Sequence, residues 1–144
     1  MTDKHLRILI VEAPYYTEIA EKLATGAIAE LEAHNIDYER FTVPGALEIP
    51  AVIAAARNRY DGFVALGCVI RGQTSHYDIV AGESARALMD LSIRDHLAIG
   101  NGILTTDTAD QAHVRADPDL KNKGRDAVQA CLAVIKAGQK FAAE

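Results

Sequence analysis

The segment GCVIRGQTSHYD, from Gly67 to Asp78, is the densest run of chemically useful side chains in the sequence. Gly72 permits a tight bend, which would aim the backbone N–H groups of Gln73 and Thr74 at an anion. His76 follows four residues after that glycine, and imidazole is the side chain whose ordinary titration range lies nearest neutrality. Together they predict an oxyanion or phosphate cradle with a proton donor and acceptor beside it. Read bare, Gly-x-Thr-x-His is also a surface loop with a histidine near a helix start. Cys68 and His76 admit a thiolate–imidazole pair, but a cysteine closing an apolar strand is more often a small buried residue.

Three further segments offer candidates. VPGALEIP sets Glu48 at a predicted helix start, where it serves either a ligand or the helix dipole. Tyr15 and Tyr16 follow the first strand, and an aromatic face there suits stacking on a planar heterocycle, or is simply an exposed loop aromatic. Arg115 and Lys123 bracket the polar stretch RADPDLKNKG; they are ordinary surface cations unless the fold brings the arginine's bidentate fork to a phosphate.

These groups need a scaffold, and the hydrophobic pattern supplies one. Leu6 to Val11 is a nearly continuous apolar run, as in a strand covered on both faces. From Thr17, read as an N-cap, Ile19, Leu23, Ala27 and Leu31 recur every four positions, predicting a helix that ends near Asn35. Strands are expected at Asp37 to Val43, Gly62 to Gly67 and Leu97 to Leu104. Helices are expected from Glu48 to Tyr60, Asp78 to His96, briefly after Thr108, and from Lys123 to Lys140 with Val128, Leu132 and Ile135 on one face. Strands alternating with helices throughout imply βαβ units: an α/β protein, a three-layer α/β/α sandwich with a flavodoxin-like four-stranded parallel sheet. Ligands in such sheets bind beyond the carboxyl ends of the strands. That rule selects Glu12 to Tyr16, Pro44 to Glu48, Cys68 to His76 and Asn101 to Thr106.

Bulk composition narrows the class. A chain of 144 residues, 49% hydrophobic and 24% charged, is expected to form one domain over residues 1–144. A net charge of −5 lacks the cationic surplus of nucleic-acid binders. No apolar run reaches the roughly 18 residues of a membrane helix. The start of the sequence, MTDKHLRILIV, has no secretory pattern, so a cytoplasmic location is expected. Cys68 and Cys131 have no metal-ligand spacing, which fits a reducing compartment and predicts no metal.

VPGALEIP, GCVIRGQTSHYDIV, GILTT and NKG occur in the order and spacing of lumazine synthases, and the chain resembles that family over nearly its whole length. The resemblance implies condensation of 5-amino-6-(D-ribitylamino)uracil with 3,4-dihydroxy-2-butanone 4-phosphate. The products are 6,7-dimethyl-8-ribityllumazine, in the penultimate step of riboflavin biosynthesis, and inorganic phosphate. It implies two small-molecule substrates, no cofactor, and a site between adjacent subunits of a pentamer or a multiple of pentamers, with riboflavin synthase as a candidate partner. Tyr15 would stack on the pyrimidine; Ala46, Leu47 and Glu48 would bind the ring and ribityl chain; Cys68, Val69, Ile70 and Asn101 would line the pocket. Gln73, Thr74 and Arg115 would hold the keto-phosphate, His76 would move protons, and Lys123 would assist.

The chain departs from the common family pattern at Leu47 and Asn101, where aromatics are frequent, at Cys68 for Thr, and at Asp119 for Lys. Two competitors follow. One is a paralogue that binds riboflavin or lumazine without making it. The other is a phosphoacceptor receiver domain, which needs a carboxylate at the end of the third strand, where Gly67 and Cys68 stand.

Overall fold

The structure is a computed structural model that describes residues 5–142. The polar lead Met1 to Lys4 and the two last residues of the predicted single domain lie outside the described residues. Four strands, β1 (Arg7–Glu12), β2 (Asp37–Thr42), β3 (Gly62–Ile70) and β4 (Ile99–Thr106), form one all-parallel sheet in the order β2-β1-β3-β4. Five helices connect and follow them: α1 (Thr17–Ala33), α2 (Ile49–Ala56), α3 (His76–Arg94), α4 (Ala109–Ala116) and α5 (Lys123–Ala142). A 3₁₀ turn, Ala46–Glu48, leads into α2. This is the flavodoxin-like sandwich that the alternating pattern predicts.

The continuous apolar run of β1 is explained by burial on both faces. Ile8 and Ile10 join Leu23, Ala27, Leu31 and Val128 in the core under α1 and α5. Leu9 and Val11 join Ile49, Ile53, Phe63 and Leu88 in the core under α2 and α3. The third layer sits close to the sheet, because a Cβ at Gly100 would run into the Ala127 carbonyl of α5. Gly124 permits a similar approach, its absent side chain making room for the Leu23 carbonyl of α1. Just before it, Asn122 adopts φ 48°, and its Oδ1 accepts the Arg125 N–H at 3.3 Å, capping α5. The NKG sequence is thus a helix start and a packing notch.

Several boundaries differ from the sequence reading. The α1 cap is Tyr16, not Thr17, and no side-chain hydrogen bond caps it. Tyr16 is partly buried against the core, so packing ties down the entry to the helix where no side-chain cap does. Helix α2 stops at Ala56 rather than Tyr60, whose hydroxyl donates to Glu39 Oε1 at 2.6 Å across the sheet edge. β3 runs three residues beyond Gly67, since Cys68, Val69 and Ile70 pair with Leu104, Thr105 and Thr106. β4 starts at Ile99 and reaches Thr106, so Asn101 is a strand residue and not part of a loop. α3 begins at His76, two residues early, and ends at Arg94.

Candidate active site

Strand order reverses between β1 and β3, and the crevice above that point is where parallel sheets bind ligands. A recess of about 400 Å³ lies there. Its walls are the segment after β1 (Ala13, Tyr15, Tyr16), the turn after β2 (Pro44 to Glu48), the end of β3 (Cys68, Val69, Ile70), and His76 and Val80 of α3. A larger recess, about 790 Å³, opens at the other end of the sheet between α1 and α5, beside Leu6 and Ile36. It contains none of the predicted site residues.

The recess has an apolar floor and a polar rim. Ala46, Val69 and Val80 are buried together and form the floor. Tyr15 stands at the rim, 76% exposed, its ring edge-on to that of Tyr16 with centroids 4.9 Å apart. Burial, with Cys68 nearby, raises the Tyr16 hydroxyl above its ordinary pKa. Glu48 is exposed at the end of the 3₁₀ turn, and its N–H donates to the Gly45 carbonyl at 3.1 Å. Cys68 is half-buried, and desolvation pushes its thiol up to about 11, so it is a neutral, weakly nucleophilic wall at pH 7. The thiolate–imidazole reading therefore loses its nucleophile.

His76 is the first residue of α3, exposed at the mouth, and its backbone N–H donates to Thr74 Oγ1 at 3.3 Å. Gln73 and Thr74 lie on the segment leading to it, exposed and outside the recess wall. Among the described residues, no hydrogen-bond partner is found for their backbone N–H groups, which leaves two open donors on the segment before His76. Three predicted residues lie elsewhere. Asn101 folds its Oδ1 back to accept the Ile103 N–H at 2.9 Å within β4. Arg115 of α4 spends one guanidinium N–H on the Gln111 carbonyl at 3.1 Å, and Lys123 pairs with Asp126 at 3.6 Å. None of the three lines this recess.

A family model described as 6,7-dimethyl-8-ribityllumazine synthase matches residues 5–139. A 6,7-dimethyl-8-ribityllumazine synthase from Bartonella henselae is 54% identical over 142 residues, covering 96% of this chain and 92% of that protein. One from Methylorubrum extorquens is 57% identical, covering 90% and 79%. One from Erythrobacter litoralis is 53% identical, covering 95% and 99%. The chain belongs to the 6,7-dimethyl-8-ribityllumazine synthase family.

Within that family's frame, the recess brings together Tyr15, Ala46, Leu47, Glu48, Cys68, Val69, Ile70 and His76 from four separate segments. Tyr16, offered by the sequence as part of an aromatic face beside Tyr15, does stand in the wall. Sequence reasoning passed over Val80, which had a legible signal: it is one helical turn beyond His76 and so shares its face.

Proposed function

We propose that this chain is a working 6,7-dimethyl-8-ribityllumazine synthase, its whole length acting as one domain, that condenses 5-amino-6-(D-ribitylamino)uracil with 3,4-dihydroxy-2-butanone 4-phosphate. The observation that carries the reading is the crevice at the strand-order reversal, which combines an apolar floor, an aromatic rim and an imidazole at its mouth, with two open backbone donors on the segment just before that imidazole. The pyrimidine stacks on Tyr15 and its edge meets the Ala46–Glu48 turn. The keto-phosphate sits at Gln73 and Thr74, its dianion held by their N–H groups and by Arg115.

The substrate's own amine attacks the ketone, so the chemistry needs no enzyme nucleophile and a neutral Cys68 suffices. Loss of water gives an imine, loss of inorganic phosphate gives an enol that tautomerises, and attack by the ribitylamino nitrogen with loss of a second water closes the ring. His76 hands protons to and from the carbinolamine, imine and enol, help of a kind worth about a hundredfold to ten-thousandfold. Most of the remainder comes from holding two substrates in reach.

Arg115, Asn101 and Lys123 reach the crevice of a neighbouring subunit in a pentamer or a multiple of pentamers. Their absence from their own chain's recess supports this. So do the bare apolar side chains Phe41 of β2 and Ile79, Met89 and Ile93 of α3, each more than half exposed. A cytoplasmic location fits two free cysteines, and no helix among the described residues is long and apolar enough to cross a membrane. Riboflavin synthase is the expected consumer of the product.

Leu47, 44% exposed at the rim with no aromatic face, favours a second reading as a flavin or lumazine binder. Incubating the purified protein with both substrates separates the two. Lumazine fluorescence rising faster than the uncatalysed reaction supports synthesis; ligand retention with no rate above background supports binding alone.

A further inference from the structure

The segment that carries Gly72, Gln73 and Thr74 has few ties of its own. Residues 71–76 are all exposed, and no atom lies within 4 Å of where a Cβ on Gly72 would stand. Its start is held by Arg71, through both backbone and side chain. The Arg71 backbone N–H donates to the Thr106 carbonyl at 2.8 Å, anchoring the segment to the end of β4. Arg71 Nε then donates to Asp107 Oδ1 at 3.0 Å, just past the same strand. Its Nη1 pairs with Asp78 Oδ1 at 3.5 Å in the first turn of α3, and the guanidinium lies over the Tyr77 ring, 4.1 Å from the centroid. Arg71 therefore ties together the exit from β3, the exit from β4 and the first turn of α3, the three points between which the 72–75 bend is strung.

We propose that Arg71 is a positioning residue for phosphate capture: it fixes the 72–75 bend and the start of α3, and it does not itself touch the phosphate. The inference rests on the functional reading above. Two properties of the guanidinium make it suited to the task. Its fork meets two carboxylates in different directions while its flat face covers an aromatic ring, which a lysine ammonium does not reproduce. Its charge also offsets Asp78 and Asp107, which without it would be two bare anions beside a site meant for a phosphate dianion. Because both carboxylates already engage it, Arg71 is not a free cation for substrate, which separates its role from that of Arg115.

The test uses the intact oligomer carrying Arg71→Ala, Arg71→Lys or Asp107→Asn, with both substrates varied in turn and amide hydrogen exchange followed over residues 72–78 without substrate. Arg71→Ala is expected to raise the KM for the keto-phosphate roughly tenfold or more, with the KM for the pyrimidine changed less than about twofold. Exchange over the bend accelerates in parallel, and Arg71→Lys falls between wild type and Ala. Asp107→Asn keeps the arginine and loosens one tie, so a smaller shift of the same kind is expected even if the alanine variant folds poorly. A raised keto-phosphate KM without faster exchange would overturn positioning, since it makes Arg71 a direct phosphate ligand. Faster exchange without a KM change, or neither, would overturn the link to capture. Wild-type protein that forms no lumazine refutes the functional reading instead, and the exchange comparison distinguishes that outcome.

Discussion

Removing the guanidinium of Arg40 should cost far more stability than its position on an edge strand suggests. Arg40 stands on β2 and donates from Nε to Glu12 Oε2 at 2.7 Å and from Nη2 to Oε1 at 2.8 Å. The two ends of this pair differ in environment: the Glu12 side chain is 5% exposed and the Arg40 side chain 49%. Arg40→Ala thus leaves a carboxylate walled off at the end of β1 with both oxygens stripped of their partner. Breaking a fully buried pair from one side costs about 3–5 kcal/mol. The open outer half of Arg40 lets water reach part of the gap, so about 2–4 kcal/mol is expected here.

The assay is denaturant unfolding at fixed subunit concentration, because the proposed assembly would make apparent stability concentration-dependent. The double variant Glu12→Leu/Arg40→Ala removes the stranded charge and should recover most of the loss, giving, with the Glu12→Leu and Arg40→Ala single variants, a coupling energy of about 1–3 kcal/mol in the double-mutant cycle. The pair also braces the site. The Val43 N–H donates to the Glu12 carbonyl at 2.8 Å, and Val43 opens directly into the Pro44–Glu48 wall. Arg40→Ala should therefore raise the KM for the pyrimidine before it alters kcat. A loss below about 0.5 kcal/mol, the range of an ordinary surface pair, would refute the reasoning.

His76→Ala should lower kcat by about a hundredfold or more with little change in pyrimidine affinity, and a full rate across neutral pH would remove its proton-transfer role. Arg115→Ala should act mainly on the KM for the keto-phosphate, read from initial rates at saturating pyrimidine. Gly124→Ala forces a Cβ into the backbone carbonyl of Leu23, which cannot swing aside as a side chain would. A loss of about 1–3 kcal/mol in denaturant unfolding is expected. Cys68 should alkylate roughly tenfold to a hundredfold more slowly than a free thiol at pH 8, as followed by intact mass. Its folded pKa of about 11 and that of Cys131, about 12, are raised by burial above the ordinary 9.0. Both thiols therefore contribute stability that is present below pH 9 and declines between about pH 9 and 12.

Much of this architecture is legible in the sequence because burial on both faces leaves an unambiguous mark. LRILIV has no polar alternation, and only a central parallel strand explains that. β2 is harder: its residues are mostly exposed, so its alternation carries less information, and pairing with β1 rather than pattern makes it a strand. The end of β3 was hidden by its own function. Cys68, Val69 and Ile70 read as the approach to a loop because a polar, glycine-containing segment follows, yet their pairing with Leu104 to Thr106 makes the pocket wall a rigid strand. Thr17 satisfied the capping preference, but packing of the adjacent tyrosine decided the boundary.

The candidate site divides along the same line between local and distant information. Tyr15, Ala46 to Glu48, Cys68 to Ile70 and His76 line one recess, because strand ends in a parallel sheet all rise to the same surface, while Gln73 and Thr74 lie outside its wall. Asn101, Arg115 and Lys123 do not, and the reason is geometric. Asn101 lies mid-strand, Arg115 turns back to its own helix, and Lys123 starts α5 beside Asp126. A phosphate dianion at the Gln73–Thr74 bend would otherwise face two amides with its nearest arginine held by Asp107 and Asp78. The bend therefore has orientation but no free cation from Arg71. If, as proposed, Arg115 comes from a neighbouring subunit, its guanidinium would complete the charge balance only in an assembled ring, so dilution to monomers should abolish turnover while leaving the fold intact. A monomer that retained full rate would require the missing cation to come from within its own chain.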